Sequence, residues 1–329
     1  MPKTLVTGAA GFIGSHVAEK LVSRGHEVVA IDDLSGGVRI NVPSQARFVQ
    51  LSIVDADAIS RLFHSERFDY VYHAAAYAAE GLSHFIRRFN YVNNVVGSMN
   101  LINAAVNNDI KRFVFFSSIA VYGSNQLPMT EGMTPMPEDP YGIAKYTVEL
   151  DLRAAQGMFQ MPFVVFRPHN VYGERQNVND RFRNVVGIFC RQILAGQPLT
   201  IFGDGLQTRA FTYVGDMSDT LADAVECSGA VNRVFNIGAE QSTSVLELAH
   251  LLKKVSGSDV PIVHLEPRHE VVHAHSSHEA LKAVFGTHPH TSLEDGLART
   301  FAWARSQPIL PYSTPCEIEV SRRMPPSWV

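Results

Sequence analysis

The sequence predicts a doubly wound α/β fold, a parallel sheet covered by helices on both faces, with a smaller mixed substrate region towards the carboxyl end. Three observations point there. Short β-branched and aliphatic runs recur with helix-sized gaps between them, which implies parallel pairing through right-handed crossovers. The runs are almost continuously apolar rather than alternating, as suits strands buried on both faces. A glycine-rich turn follows the first run directly and opens a helical pattern.

In chain order, the first strand is Thr4-Leu5-Val6, followed by the turn Gly8-Ala9-Ala10-Gly11-Phe12-Ile13-Gly14 and a helix through His16, Val17, Ala18 and Leu21. Val28-Val29-Ala30-Ile31 forms the second strand and ends at Asp32 and Asp33. Phe48-Val49 and Tyr70-Val71-Tyr72 give the third and fourth, a helix spans 90–107, and Phe113-Val114-Phe115-Phe116 gives the fifth. A helix containing 141–152 leads to the sixth strand, Phe163-Val164-Val165-Phe166. After Pro168, Gly, Asn, Arg and Pro interrupt the period up to Gly205, so the chain leaves the sheet there. It returns through a strand at 211–214, a helix over 217–227 and a strand at 234–237. The expected division is a Rossmann domain over 1–168 with a returning portion at 206–238, and a substrate region from 169–205 and 239–308. A surface tail covers 309–329, where four of the 17 prolines fall.

At 329 residues, 46% hydrophobic and 18% charged, the chain can bury a large core. A formal net charge of -4 with scattered Lys and Arg carries no footprint for nucleic acid or an acidic membrane surface. The apolar runs are far shorter than the roughly 20 residues a membrane span needs. No signal segment precedes the first strand, and Cys190, Cys227 and Cys316 have neither disulfide nor metal spacing, so a reducing cytoplasm is expected. The histidines at 264, 269, 273, 275, 278, 288 and 290 match no zinc pattern, and no metal is expected.

Gly8, Gly11 and Gly14 permit a tight turn, close approach to a pyrophosphate and packing of the helix on the strand, and the helix amino terminus offers free N–H groups. The same turn would also serve as a plain strand-to-helix connection. Asp32 favours the cradle, because an acid eighteen residues past Gly14 can bind both hydroxyls of an adenine ribose and repels a 2′-phosphate, with a turn or helix-cap role as its alternative. NAD is therefore the expected cofactor, rather than NADP. Asp33 reads as a turn residue.

Further on, the fifth strand runs into Ser117-Ser118, and Tyr141-Gly142-Ile143-Ala144-Lys145 opens a helix. Four residues apart on a helix, Lys145 lies on the face of Tyr141 and can favour the ionised phenol, whose ordinary pKa is about 10. Ser118, at a strand's carboxyl end, can hold a reacting hydroxyl in line with that phenol. Taken alone, a Tyr and a Lys at this spacing more often mean a packed ring and a solvated amine. In order after a glycine cradle and a serine strand end, they make a proton-transfer unit beside a hydride acceptor.

These residues resemble the extended short-chain dehydrogenase/reductase family, within it the nucleotide-sugar epimerases and dehydratases, and most closely the UDP-hexose and UDP-N-acetylhexosamine 4-epimerases. The likeness runs from Thr7-Gly8-Ala9-Ala10-Gly11-Phe12-Ile13-Gly14 through His73-Ala74-Ala75-Ala76, Asn94-Val95-Val96-Gly97, Tyr141 to Lys145 and Asn170-Val171-Tyr172-Gly173, to Gly203-Asp204-Gly205. It implies that Tyr141 is the base, that Lys145 lowers its pKa and holds the nicotinamide ribose, and that Ser118 contacts the sugar. Gly8, Gly11, Phe12, Ile13, Gly14, Asp32, Ser52, Ile53, Ala74, Ala75, Ala76 and Asn94 would join Tyr141 and Lys145 in binding NAD. Asn170 and Arg209 would bind a UDP-linked sugar, with Arg268 as a second diphosphate arginine after a one-residue shift. Ala274 would leave room at C2 of the sugar.

The sequence departs from the pattern in ways that narrow the reaction. Leu51-Ser52-Ile53 replaces the acid that often holds the adenine amino group, and Arg209-Ala210 replaces an Arg-Asp pair. Ile119 and Ala120 stand where the family's 4,6-dehydratases carry Asp-Glu, and its decarboxylases a glutamate at the second place. Neither side chain can transfer a proton, so both reactions are disfavoured and 4-epimerisation through a transient 4-keto sugar is the expectation. A 4-keto-sugar reductase using the same Ser118, Tyr141 and Lys145 is the alternative, and a non-catalytic dinucleotide sensor is a remoter one. The helices at 90–107 and 141–152 are apolar enough to pair across a two-fold axis, so a homodimer is expected.

Overall fold

The computed structural model describes residues 1–124, 126–180, 182–267, 271–287, 290–311, 316–325 and 328. Six apolar runs become β1 (Lys3–Thr7), β2 (Glu27–Asp32), β3 (Arg47–Gln50), β4 (Tyr70–His73), β5 (Arg112–Phe116) and β6 (Phe163–Pro168). With the later strand Arg233–Ile237 they form one seven-stranded sheet, in the order 233–237, β6, β5, β4, β1, β2, β3. Every pairing in it is parallel. The order reverses between β1 and β4, which opens a crevice at the carboxyl ends of those two strands, where ligands of such sheets bind.

Helices α1 (Phe12–Ser23), α2 (Ala56–Glu66), α3 (Glu80–Ser83), α4 (Arg87–Tyr91), α5 (Gly97–Asn107) and α6 (Pro140–Phe159) fill the connections. Because successive strand residues take opposite faces, Val6, Ala30, Val114 and Phe166 pack under α1 and the later helix Val214–Asp223. Leu5, Val29, Phe113 and Val165 pack under α2, α5 and α6 on the other face. Both faces are covered, which explains why the runs do not alternate.

Three local readings change. The expected helix at 90–107 begins earlier, in α4, and is joined to α5 by a π-helical turn at Val92–Val96. The strand expected at 211–214 shrinks to Thr212–Tyr213 and pairs with Val171–Tyr172 outside the main sheet. The helix after it starts at Val214 rather than 217 and ends at Asp223, with Asp216 favourably placed in its first turn.

A second core, away from the sheet, gathers Tyr172, Phe189, Ile201, Phe211, Leu248 and Phe301. Part of the tail docks firmly. Cys316, Ile318 and Trp328 pack on Tyr77, Leu82, Ile86 and Phe182, while Glu319 accepts the Arg88 and Phe89 backbone N–H groups at 2.7 and 2.9 Å. Among the described residues, no helix is long and apolar enough to cross a membrane.

Candidate active site

At the end of β1 the backbone of Gly8 adopts φ +66°, and a Cβ there would lie 2.7 Å from the Ala75 backbone nitrogen. A Cβ on Gly14 would lie 2.2 Å from the Gly8 carbonyl oxygen. Loop, helix and the segment after β4 therefore meet at distances only glycine allows. Gly11 is the N-cap of α1 with no side-chain capping bond, and the first turn holds no acid. Its N–H groups and the positive end of the helix dipole are thus presented to an anion. Gly11, Phe12 and Ile13 form a half-exposed rim.

Asp32, at the end of β2, ties this loop down: its Oδ2 accepts from Ala10 N at 3.0 Å and its Oδ1 from Leu34 N at 2.8 Å. Burial pushes its pKa up, against those two bonds, which lower it. Asp33 accepts from Ser35 N in a local turn. The uncapped helix, the glycine contacts and the acid together fit a dinucleotide.

The remaining cofactor candidates divide by what their side chains do. Ala74 and Ala75 follow β4 and donate their N–H groups to the Thr7 carbonyl and hydroxyl oxygens, and Ala76 beside them is half-buried. Asn94, in the π-helical turn, exchanges hydrogen bonds with both backbone groups of Tyr77, so it shapes the segment after β4 from behind. Ser52 accepts from Val54 N. The Ile53 side chain packs into the core beneath Gly97, and its carbonyl oxygen accepts from Asn100. Only the backbone around it is left to meet an adenine.

The residues expected to react sit on the neighbouring strand end and helix. Asp139 caps α6 by accepting from the N–H groups of Tyr141 and Gly142, with Pro140 in the first turn. A Cβ on Gly142 would fall 2.6 Å from the Ala120 carbonyl oxygen, so glycine lets the helix start press against the loop after β5. There burial and nearby Glu80 push the pKa of the Tyr141 phenol up, opposed by the neighbouring Ser118 side chain. Ser118 Oγ also accepts from Ala120 N at 3.1 Å. Lys145 Nζ donates to the Phe116 carbonyl oxygen at 2.8 Å and lies 5.7 Å from the Tyr141 ring centre. Burial pulls its pKa down to about 7, opposed by the Glu149 carboxylate.

His73 is fully enclosed between the Thr7 and Ser98 hydroxyls, each at 2.8 Å, and burial holds its pKa well down. It ties β1 and β4 to α5. His84, Arg87 and Arg88 are solvent-exposed.

Sequence reasoning missed a polar cluster beneath this site. Arg167 and Glu149, both wholly buried, form a two-pronged pair: Nε to Oε1 at 2.9 Å and Nη2 to Oε2 at 2.5 Å. Ser117 Oγ donates to Glu149 Oε1, and Arg167 Nη1 donates to the Tyr122 hydroxyl, which donates to Asn236 Oδ1. The available signal was a glutamate four residues past Lys145 and an arginine closing an otherwise apolar strand.

On the substrate side, Asn170 has φ +42° and its carbonyl oxygen accepts from Thr212 N. Arg209 donates to the carbonyl oxygens of Val271 and Val272. It pairs in register with Ala274, which packs against Val121 and Tyr122 just past Ser118. Arg268 lies outside the described residues. His169 and His278 stack at 5.2 Å, both with pKa values lowered by burial. Among the described residues, no three His, Cys, Asp or Glu side chains converge to hold a metal.

The model of the NAD-dependent epimerase/dehydratase family matches residues 4–238. The chain is 34% identical over 313 residues to the UDP-glucose 4-epimerase of Mycolicibacterium smegmatis, covering 93% of this chain and 99% of that protein. Among solved structures it superposes on UDP-glucose 4-epimerase with UDP-glucose from Thermotoga maritima with a TM-score of 0.88 and 37% identity, over 92% of this chain and 98% of that one. The UDP-N-acetylglucosamine 4-epimerase of Methanobrevibacter ruminantium, in complex with UDP-N-acetylmuramic acid, gives 0.86 and 30%, over 92% and 97%.

Proposed function

The chain belongs to the NAD-dependent epimerase/dehydratase family, and from that premise we propose that it is an NAD-dependent nucleotide-sugar 4-epimerase acting on a UDP-hexose or UDP-N-acetylhexosamine. The observation that carries this reading is the grouping of Ser118, Tyr141 and the buried Lys145 where the end of β5 meets the start of α6, next to two residues, Ile119 and Ala120, that can move no proton.

Tyr141, as phenolate, takes the proton of the sugar's C4 hydroxyl while Ser118 holds that oxygen in line. The glycine cradle and Asp32 would hold NAD, which would supply reversible hydride acceptance at C4. The C4 oxygen becomes a carbonyl, the 4-keto sugar turns in the site, and Tyr141 returns its proton as hydride comes back on the opposite face. Lys145 favours the phenolate and holds the nicotinamide ribose. Gly8, Gly11, Phe12, Ile13 and Gly14 carry the pyrophosphate, and Ser52, the Ile53 backbone, Ala74, Ala75, Ala76 and Asn94 line or shape the rest of the cofactor site. Asn170 and Arg209 hold the sugar nucleotide, with the Arg209 fork turning from the Val271 and Val272 carbonyl oxygens to the diphosphate. Arg268 would add a second charge to that diphosphate. Ala274, the small residue paired with Arg209, leaves space for a C2 N-acetyl group.

The same reading includes a homodimer formed through α5 and α6, supported by the exposed apolar residues Val96, Ile143 and Leu150 along those helices. It also places the enzyme in the cytoplasm, in keeping with free thiols at Cys190, Cys227 and Cys316.

The test incubates the protein with UDP-glucose, UDP-N-acetylglucosamine and UDP-glucuronate separately, with and without added NAD, and resolves the products by chromatography. A C4 epimer without net NADH is expected, with Tyr141→Phe reducing the rate by about 10²–10⁴-fold. Turnover only of a 4-keto sugar, with stoichiometric NADH or NADPH, would make it a reductase instead.

A further inference from the structure

We propose that the buried Arg167–Glu149 pair is a positioning unit for the proton-transfer site: Glu149 supplies the countercharge that keeps Lys145 an ammonium, and through Ser117 it fixes the strand end that presents Ser118. The inference rests on the epimerase reading for its consequence in catalysis, although its electrostatic part concerns this chain alone.

Tyr141, Lys145 and Glu149 follow one another at four-residue steps on α6 and so share one helix face. Among the described residues, Glu149, one helical turn along α6, is the charged group that favours the Lys145 ammonium, and burial is the force it opposes. The other groups facing Lys145 supply no countercharge. His73 on β4 is held neutral by burial; Phe115 on β5 offers its ring face 4.8 Å away; and the Phe116 carbonyl oxygen accepts one hydrogen bond. Without Glu149, a lysine this deep would deprotonate and could no longer stabilise the Tyr141 phenolate.

A carboxylate at that depth would stand desolvated and uncompensated without a partner. Arg167 prevents this with two hydrogen bonds from its planar fork, and it is fixed in turn by Tyr122, whose hydroxyl bonds Asn236. Asn236 N donates to Glu131, the next charged group along the chain of contacts. Glu149 Oε1 also receives the Ser117 hydroxyl. Ser117 immediately precedes Ser118, and its N–H is bonded to the Phe166 carbonyl oxygen at 2.7 Å. The carboxylate thus holds the side chain of the residue immediately before Ser118.

Breaking a buried pair by removing one partner leaves an uncompensated charge, whereas replacing both partners with neutral residues is commonly tolerated. Two variants exploit this: Glu149→Gln, and Glu149→Gln combined with Arg167→Met. The first measurement needs neither substrate nor cofactor. Protein labelled with [ε-¹³C]lysine is titrated by NMR, with the Lys145 resonance assigned by its loss in Lys145→Arg. In both variants the Lys145 midpoint is expected to fall by about one pH unit or more. The second measurement is the pH dependence of kcat for epimerisation, whose alkaline limb should move down with the NMR midpoint, while Glu149→Asp, still charged, keeps the limb near its original place. A purely structural pair predicts that the charge-balanced double variant titrates like the parent, and that result would overturn the proposal. Because the NMR midpoint is read without turnover, failure of the parent to epimerise any UDP-sugar would count against the functional reading, while the Lys145 midpoints would still decide whether the pair holds the ammonium.

Discussion

Lys145 Nζ stands 5.7 Å from the centre of the Tyr141 ring, yet its hydrogen bond goes to the Phe116 carbonyl oxygen, 2.8 Å away. The ammonium is thus hung from the strand end that carries Ser117 and Ser118 and acts on the phenol through space. Burial works against the charge on both groups, raising the pKa of Tyr141 and bringing that of Lys145 to about 7. The charge pattern needed for proton transfer is therefore costly in the folded chain, and it is localised at one lysine.

That cost gives Lys145→Met two opposite effects. The variant should lose epimerase activity and gain stability near neutral pH. The folded pKa of Lys145 is about 7 and its ordinary value 10.5. Across that window the unfolded chain keeps a proton that the folded chain releases, so this group makes stability rise with pH, and below the window its contribution is flat. Parent minus variant stability, from urea unfolding at a series of pH values, should climb by on the order of 3 kcal/mol between pH 7 and 10. A difference that does not change with pH would show that the lysine is not held against its charge.

Asp32 has two tasks at one carboxylate, because the backbone bonds to Ala10 and Leu34 leave it facing the cradle. Asp32→Asn keeps the shape, removes the charge and turns one acceptor into a donor. Hydrogen bonds to a charged group are worth about 1.5–3 kcal/mol, so affinity for NAD should drop by roughly 10- to 100-fold. Discrimination against NADP should narrow, since the charge that repels a 2′-phosphate is gone. Calorimetric titration with both dinucleotides measures this; unchanged NAD binding would remove Asp32 from the ribose site.

Much of this architecture was legible because the signals are local. Strand runs such as Phe113 to Phe116 announce double-sided burial, and Gly8, Gly14 and Asp32 mark a cradle by spacing alone. What escaped was long-range. Glu149 and Arg167 are eighteen residues apart and meet only when β6 is laid beside β5 and under α6. The Ile53 side chain could not be assigned a direction until α5 was packed over it. The tail looked featureless because its apolar residues Cys316, Ile318 and Trp328 follow no period and find their partners around Leu82 and Phe182.

The same tail yields a stability prediction. Glu319 accepts both the Arg88 and Phe89 N–H groups and so caps α4 from more than two hundred residues away in sequence. The helix it caps runs into the π-helical turn holding Asn94, which in turn secures Tyr77. Glu319→Ala should cost about 1 kcal/mol, as loss of a helix cap does, and should speed hydrogen exchange at residues 87–96 before it affects the sheet. Uniform exchange behaviour across both regions would mean the cap is not the weak point.

The dimer proposal turns on one face of α6. Ile143 and Leu150 are seven residues apart, so they lie on one stripe, and they are 38% and 47% exposed; Val96, at the start of the adjoining α5, is 48% exposed. Three apolar side chains left in water beside a helix that already buries Val148 and Leu152 on its inner face are best satisfied by a symmetric copy of the same stripe. A two-fold contact would bring Leu150 near its own counterpart, so one charge introduced there is doubled in the dimer and desolvated twice. Leu150→Glu should therefore shift the protein to monomer at micromolar concentration in sedimentation velocity, with its fold intact by circular dichroism because the residue lies outside the core. If the parent sediments as a monomer, or the variant stays dimeric, α6 is not the dimer face.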